Sequence, residues 1–275
     1  MKNSVGRFVV IVVLLTGCLT RSETVPNSTR WKSPEDVDDW MINYYRKPQP
    51  GQVSAALETL QRHQVFVTHR SAEALFAGFL AIVFRDNSQQ ALSWAEHSDS
   101  YSKELRRTVW LALWLSNIRW AHHHLSHRAQ DATGEDLDYL QILLNNEPFN
   151  LRQLKPANPS HLDMLWGAFF ASGESQYVKR IISALTFLDQ RRDPFKYATA
   201  ASAKWSLKSR SLHDAKVLET CRDELGKSSE PIRAHLLDIV SQAEGKDMLV
   251  DEREEAARVL KEEFPGEVIE QYRQE

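Results

Sequence analysis

Four histidines fall within six residues of the run Trp120-Ala121-His122-His123-His124-Leu125-Ser126-His127. On a helix, His123 and His124 stand four and three residues before His127, so either imidazole meets it on one face. That spacing suits zinc or copper, which accept neutral imidazole nitrogens. Asp131 adds a carboxylate one turn later if the helix runs that far. Against a metal site, the sequence lacks an H-E-x-x-H pattern, and the residues near Asp131 read as a helix end. A polar helix face also carries histidines with no ligand to hold. A second pairing, His161-Leu162-Asp163, sets an acid two residues from an imidazole. Residues two apart on a helix do not face each other, so this run reads as a helix start, where Asp163 favours the positive end of the dipole. Tyr44, Tyr45 and Arg46, followed by Lys47-Pro48-Gln49-Pro50, mix aromatic and basic groups suited to a lipid headgroup or a peptide. The alternative is a helix end whose Arg and Lys balance the dipole.

Other chemistries have no foothold in the sequence. Phosphate-binding glycine loops, G-x-S-x-G elbows, CxxC pairs and dinucleotide fingerprints are missing. The chain holds two cysteines, Cys18 and Cys221, too few for a disulfide framework. Cys221 shares a helical face with Val217, Leu218 and Leu225 and reads as a small buried hydrophobe. Lys and Arg number 34 against 37 Asp and Glu, for a net charge of −3, which gives no general attraction for nucleic acid. Arg106-Arg107 and Arg191-Arg192 are isolated pairs, and the tryptophans have the spacing of a core, not of a base-stacking platform. No cofactor and no nucleic-acid partner are expected.

The elements that must position these residues are helical. Glycine is scarce, at ten in 275 residues, and hydrophobic residues make up 42%, a composition that favours a folded, helix-rich chain. Ser33-Pro34-Glu35-Asp36 is a helix start, and Val37, Trp40, Met41 and Tyr44 continue its apolar stripe. Further stripes run through Val53–Leu60, Phe76–Val83, Leu137–Leu144, Leu162–Phe169, Val178–Leu185, Tyr197–Leu207, Leu218–Leu225, Ile232–Val240 and Ala256–Phe264. Lys103–Asn117 is apolar nearly all round, which predicts a helix buried on several sides near the middle of the domain. Gly173, Gly226 and Gly245 stand where helices end. Gln64-Val65-Phe66-Val67-Thr68 is a single β-like run without a hairpin partner. Asn- and Pro-rich residues 145–160 break the periodicity most and mark the best candidate for a subdomain boundary. About twelve helices joined by short polar connections predict an all-α fold, an irregular α-solenoid of stacked helical hairpins. A compact multi-helix bundle is the alternative, because no fixed repeat is found.

The amino end has a different character. Lys2 and Arg7 precede an unbroken apolar run, Phe8–Leu15. As a helix it spans only about 12 Å, against roughly 30 Å of bilayer hydrocarbon. It is too short to cross and has the shape of a signal-peptide core. Leu15-Thr16-Gly17-Cys18 follows and resembles the bacterial lipobox. The resemblance covers these four residues and the leader before them. It implies a leader of residues 1–17 cut before Cys18, acyl chains on Cys18, and attachment to a membrane that is stable with two or three chains. Leu19, where inner-membrane lipoproteins commonly carry Asp, implies the periplasmic face of the outer membrane if the organism has one. Residues 19–32 are polar and read as a tether reaching at most roughly 50 Å. The sequence thus predicts a lipid-anchored envelope protein with a helical domain over 33–275 that binds a protein or peptide partner. The alternative is an envelope hydrolase or metal-binding protein using His122–His127.

Overall fold

The computed structural model describes residues 31–245. The leader, Cys18, most of the tether and the helix expected around Ala256, Leu260 and Phe264 lie outside the described residues. Within them the fold is all-α, with no strand. The helices are α1 (Pro34–Asn43), α2 (Val53–Arg62), α3 (Val65–Thr68), α4 (Ala72–Asp86), α5 (Ser88–Glu96), α6 (Lys103–Ser116), α7 (Arg119–Asp131), α8 (Gly134–Leu144), α9 (Pro159–Ser172), α10 (Ser175–Ser183), α11 (Pro194–His213), α12 (Ala215–Leu225) and α13 (Ile232–Ala243). They form two compact units, residues 31–181 and 182–245.

In the first unit α4 is the axis. Phe76 through Phe84 are buried without interruption, so this helix needs cover on several sides. It packs on α9, whose Met164 through Ala171 are equally buried, and on α6, α5 and α3. The densely apolar α6 packs on α4, α7 and α8. Gly78 of α4 and Gly167 of α9 face each other where the two helices cross. A Cβ built on Gly78 would lie 2.7 Å from Met164 Cα and closer still to its carbonyl oxygen, and one on Gly167 would lie 2.7 Å from Phe79 N. Only hydrogen fits between these backbones.

Local chemistry starts and stops the helices. Asp36 accepts the amides of Lys32 (3.0 Å) and Ser33 (3.1 Å) at the start of α1. Asn158 accepts from His161 N at 3.0 Å ahead of Pro159. Asp193 accepts from Lys196 N at 3.2 Å ahead of Pro194. Gly173 closes α9 at φ +66°.

Three expectations are corrected. The β-like run is a short helix, α3: Gln64 turns the chain at φ 52°, and Phe66 is buried with its ring edge-on to Phe76 at 5.5 Å, so tertiary packing overrides strand propensity. The tether is already engaged at its end, where Trp31 packs on Trp40 at 5.0 Å and its carbonyl accepts from Arg62 at 3.4 Å. Residues 145–160 lie inside the first unit. Leu151 and Leu154 are buried there, Phe149 meets Trp114 at 5.4 Å, and Trp114 Nε1 donates to Asn146 O at 3.2 Å. Apolar anchors set among the Asn and Pro residues fasten this connection to the core.

The second unit is a packing of α11, α12, α13 and the turn Ala184–Phe187. Ala200, Ala203 and Leu207 of α11, Val217 and Cys221 of α12, and Leu236 and Ile239 of α13 are all buried in it. Cys221 is fully buried, its sulfur 3.8 Å from Ser211 Oγ, and burial pushes its thiol up to about 11. The reading of it as a small interior hydrophobe holds.

Candidate functional site

The histidine run lies on α7, as its spacing requires. Ala121 and Leu125 take the buried face, which leaves His122, His123 and His127 exposed. His124 is half-buried, edge-on to Trp120 at 6.0 Å, and burial with Arg128 nearby lowers its pKa. Arg128 is paired with Asp99. No three His, Cys, Asp or Glu side chains among the described residues are grouped to hold a metal ion. His123 and His127 therefore offer two imidazoles one turn apart at the surface, with no carboxylate converging on them.

Tyr44, Tyr45 and Arg46 separate. Tyr44 is buried, edge-on to Trp40 (5.2 Å) and Phe79 (5.1 Å), and burial pushes its phenol up to about 12. It belongs to the core, which removes it from a surface site: the stripe that begins at Val37 includes it. Tyr45 lies against Phe169 (5.4 Å) and over Gly173, where a Cβ would sit 2.9 Å from the ring's Cγ. Arg46 is exposed. It donates from Nε to the Tyr45 hydroxyl (3.1 Å) and from Nη1 to Asn43 Oδ1 (2.7 Å), with its guanidinium 5.2 Å from the Tyr45 ring centre.

Beside Gly173 stands a cluster that sequence reasoning missed. Glu174 takes Arg152 in a two-pronged pair, Nε at 2.9 Å and Nη2 at 2.6 Å, and Arg85 approaches to 3.9 Å. Arg85 donates to Asp86 at 2.9 Å, and Arg180 donates to the Arg152 carbonyl at 2.8 Å. The Tyr177 side chain is buried beneath, its phenol raised by burial and by Glu174. The carboxyl ends of α4 and α9 meet at this corner, and their partial negative charge favours cations. The residues are scattered from 46 to 180. The only signal available in the sequence was Arg85 directly after the apolar run Phe76–Phe84.

Two acids, Glu73 and Asp163, are pushed well above their ordinary range. Burial pushes Glu73, near Arg70, Glu104 and Arg107, up to about 7. Across α6 and α8, Asp136 accepts from Arg107 Nε at 2.9 Å and from Arg106, while Arg107 also covers the Tyr139 ring at 5.2 Å. Asp136 stays below its usual range despite burial, because both arginines hydrogen-bond it. Burial alone pushes Asp163 up to about 7. His161 Nδ1 accepts from Ala157 N at 3.3 Å, and burial lowers its pKa. Both lie near the start of α9, as the run predicts, but Asp163 stands beyond the first turn and burial, not the helix dipole, sets its ionisation. An open groove of about 500 Å³ lies between Glu58, Gln61, Arg62, Ser100 and Tyr101. Within it Gln61 Oε1 is already engaged by Ser102 N at 2.9 Å. No helix among the described residues is long and apolar enough to cross a membrane.

Comparison of the chain with protein-family models, curated proteins and solved structures finds no match in any of the three.

Proposed function

We propose that the chain is an envelope lipoprotein, held to a membrane by acyl chains on Cys18, whose helical domain binds a protein or peptide partner. The observation that carries this reading is Leu15-Thr16-Gly17-Cys18 directly after a basic and then apolar leader. The binding surface is the corner of Tyr45, Arg46 and Arg152. There an aromatic ring and guanidinium groups lie near the surface, and an acidic peptide or a terminal carboxylate would compete with Glu174 for Arg152. Membrane residence would raise the local concentration of an envelope partner. The domain reads as helical hairpins stacked in an irregular α-solenoid from α6 to α8 and again from α11 to α13, where sequence neighbours pack on each other. The α4–α9 pair, distant in chain order, favours the compact bundle for the rest.

The test has two parts. Palmitate labelling in cells and intact mass should show acylation at Cys18 and loss of residues 1–17, both absent in Cys18→Ser. A photo-crosslinker at position 46 should capture a partner that one at exposed Ile142 does not. An unmodified cysteine, or identical capture at both positions, refutes the corresponding half.

A further inference from the structure

We propose that Glu174 is a built-in occupant of a carboxylate-binding site, and that the carboxylate of a peptide partner displaces it from Arg152. The inference deepens the partner reading above and rests on it for the ligand. Glu174 shows what the site accepts: one carboxylate held by both arms of the Arg152 fork, Nε at 2.9 Å and Nη2 at 2.6 Å. Arg152 stands on a fixed base, because Leu151 and Leu154 anchor its turn in the core and its carbonyl accepts from Arg180 at 2.8 Å. Gly173, at φ +66°, turns the chain between α9 and α10 and brings Glu174 to that base. The Glu174 backbone is pinned as well. Its amide donates to Ser172 Oγ at 3.1 Å, and its carbonyl accepts from Tyr177 N at 3.1 Å. The side chain alone is left to swing.

Two observations favour exchange over a permanent ion pair. The first is a surplus of donors. Arg85 comes only to 3.9 Å of Glu174, beyond hydrogen-bonding distance, and gives its Nε–H to Asp86 at 2.9 Å. The Tyr177 hydroxyl is buried within the field of Glu174, Arg85 and Arg152, and among the described residues no hydrogen bond to it closes. Guanidinium groups only donate, so neither arginine can take its proton. A buried donor without an acceptor is costly, and a carboxylate seated nearer Arg85 than that of Glu174 would supply one. The second observation is access. The side chains of Arg152 and Glu174 are 50% and 34% exposed, and an ion pair in contact with water contributes little, so little holds Glu174 in place. Arg85 and Arg152 already balance Asp86 and Glu174 in charge. A second carboxylate therefore enters by displacing the first, not by joining it.

The test follows the Nε–H signals of Arg152 and Arg85 by nuclear magnetic resonance in the full chain as Cys18→Ser. The probes are acetyl-trialanine with a free terminal carboxylate, its terminal amide, the amide of acetyl-Ala-Glu-Ala, and inorganic phosphate. A carboxylate peptide should shift both arginine signals saturably, and the neutral amide should not. The tighter of the two carboxylate peptides tells a chain end from an acidic side chain. Glu174→Gln should lower the half-saturating concentration about two- to fivefold, through loss of a competing surface ion pair. Arg152→Gln should abolish the response; the comparison of acid with amide on the chain with Arg152 intact stands even where that variant does not fold. No carboxylate-dependent shift in the Glu174→Gln chain at about 50 mM peptide overturns the proposal. So does binding that Glu174→Gln leaves unchanged or weakens, or phosphate that binds as well as either peptide. Capture at position 46 tests the partner reading separately. A partner captured there by a chain that ignores both carboxylate peptides keeps that reading and overturns this one, and a carboxylate response without a captured partner does the reverse.

Discussion

Gly78→Ala and Gly167→Ala each place one methyl group between α4 and α9. In an open helix that change is favourable by about 1 kcal/mol, because alanine loses less backbone freedom on folding. Here the methyl would stand 2.7 Å from Met164 Cα or Phe79 N, and real Cβ atoms essentially never come under 3.0 Å of another heavy atom. The obstruction is backbone, which cannot swing aside as a side chain would. The helices must part by roughly 0.5–1 Å, and such a gap forfeits a quarter to a half of each dispersion contact along the interface. Overpacking of this kind costs about 1–3 kcal/mol and sometimes more; with backbone on the receiving side, a net loss of about 2–4 kcal/mol is expected after the propensity gain. For a chain of this size that is about 5–15 °C in unfolding midpoint. Equilibrium denaturation of the full chain, followed by helix signal and tryptophan fluorescence, measures it. Gly226→Ala is the control: its φ is −71° and its nearest obstruction is Asp223 O at 3.8 Å. It should be neutral or stabilising by up to about 1 kcal/mol. The double variant Gly78→Ala/Gly167→Ala should lose less than the two single losses added, because the second methyl enters space already opened. Single variants as stable as Gly226→Ala would refute the close-crossing argument.

Glu73 and Asp163 titrate near 7 in the folded chain and near 4.5 and 3.8 ordinarily. The native state therefore holds protons that the unfolded chain releases. The stability they contribute is complete below about pH 4 and lost as pH rises to 7. Asp163→Asn should flatten that slope and stabilise the chain at pH 8 by roughly 2 kcal/mol or more, and an unchanged pH profile of the midpoint counts against the burial account. Asp136 works in the opposite sense: its lowered pKa contributes stability above about pH 4 that fades on acidification, and Asp136→Asn should reduce that acid-side loss in the same titration. Gly173→Ala should destabilise by about 1–3 kcal/mol, from its positive φ and the Tyr45 ring above it; a denaturation midpoint equal to that of the unsubstituted chain contradicts this. Without an affinity tag, the chain should be retained weakly on immobilised nickel through His123 and His127, and His127→Gln should abolish retention at unchanged stability; retention that persists points to other ligands.

The start of α1 was legible because Ser33 sits before Pro34 with acids behind it, and cap chemistry is local. The helix α4 was legible as a stripe through Phe76–Val83, but the central place was expected of α6; the unbroken burial of Phe76–Phe84 gives it to α4 instead. The partner of α4 was not legible. Nothing near Gly78 announces Gly167, and a glycine inside an apolar run looks the same whether it meets a side chain, a void or another backbone. The β-like run misled because Val65, Phe66 and Val67 suit a strand, while burial of Phe66 against Phe76 decides the conformation. Tyr44 and Tyr45 are adjacent and chemically identical, yet one is core and the other surface-facing, because the helix stripe reaches Tyr44 and stops. The arginine corner was invisible for the reason α4–α9 was: it forms only when two helix ends meet.

The crossing at Gly78 and Gly167 joins positions almost ninety residues apart. Neither helix has a polar face to tolerate waiting in water, so a nascent chain would carry one side of α4 uncovered until α9 has emerged. Closing so long a loop is entropically uphill before any contact repays it. Truncation before Pro159 should thus yield a sticky intermediate rather than a smaller working piece.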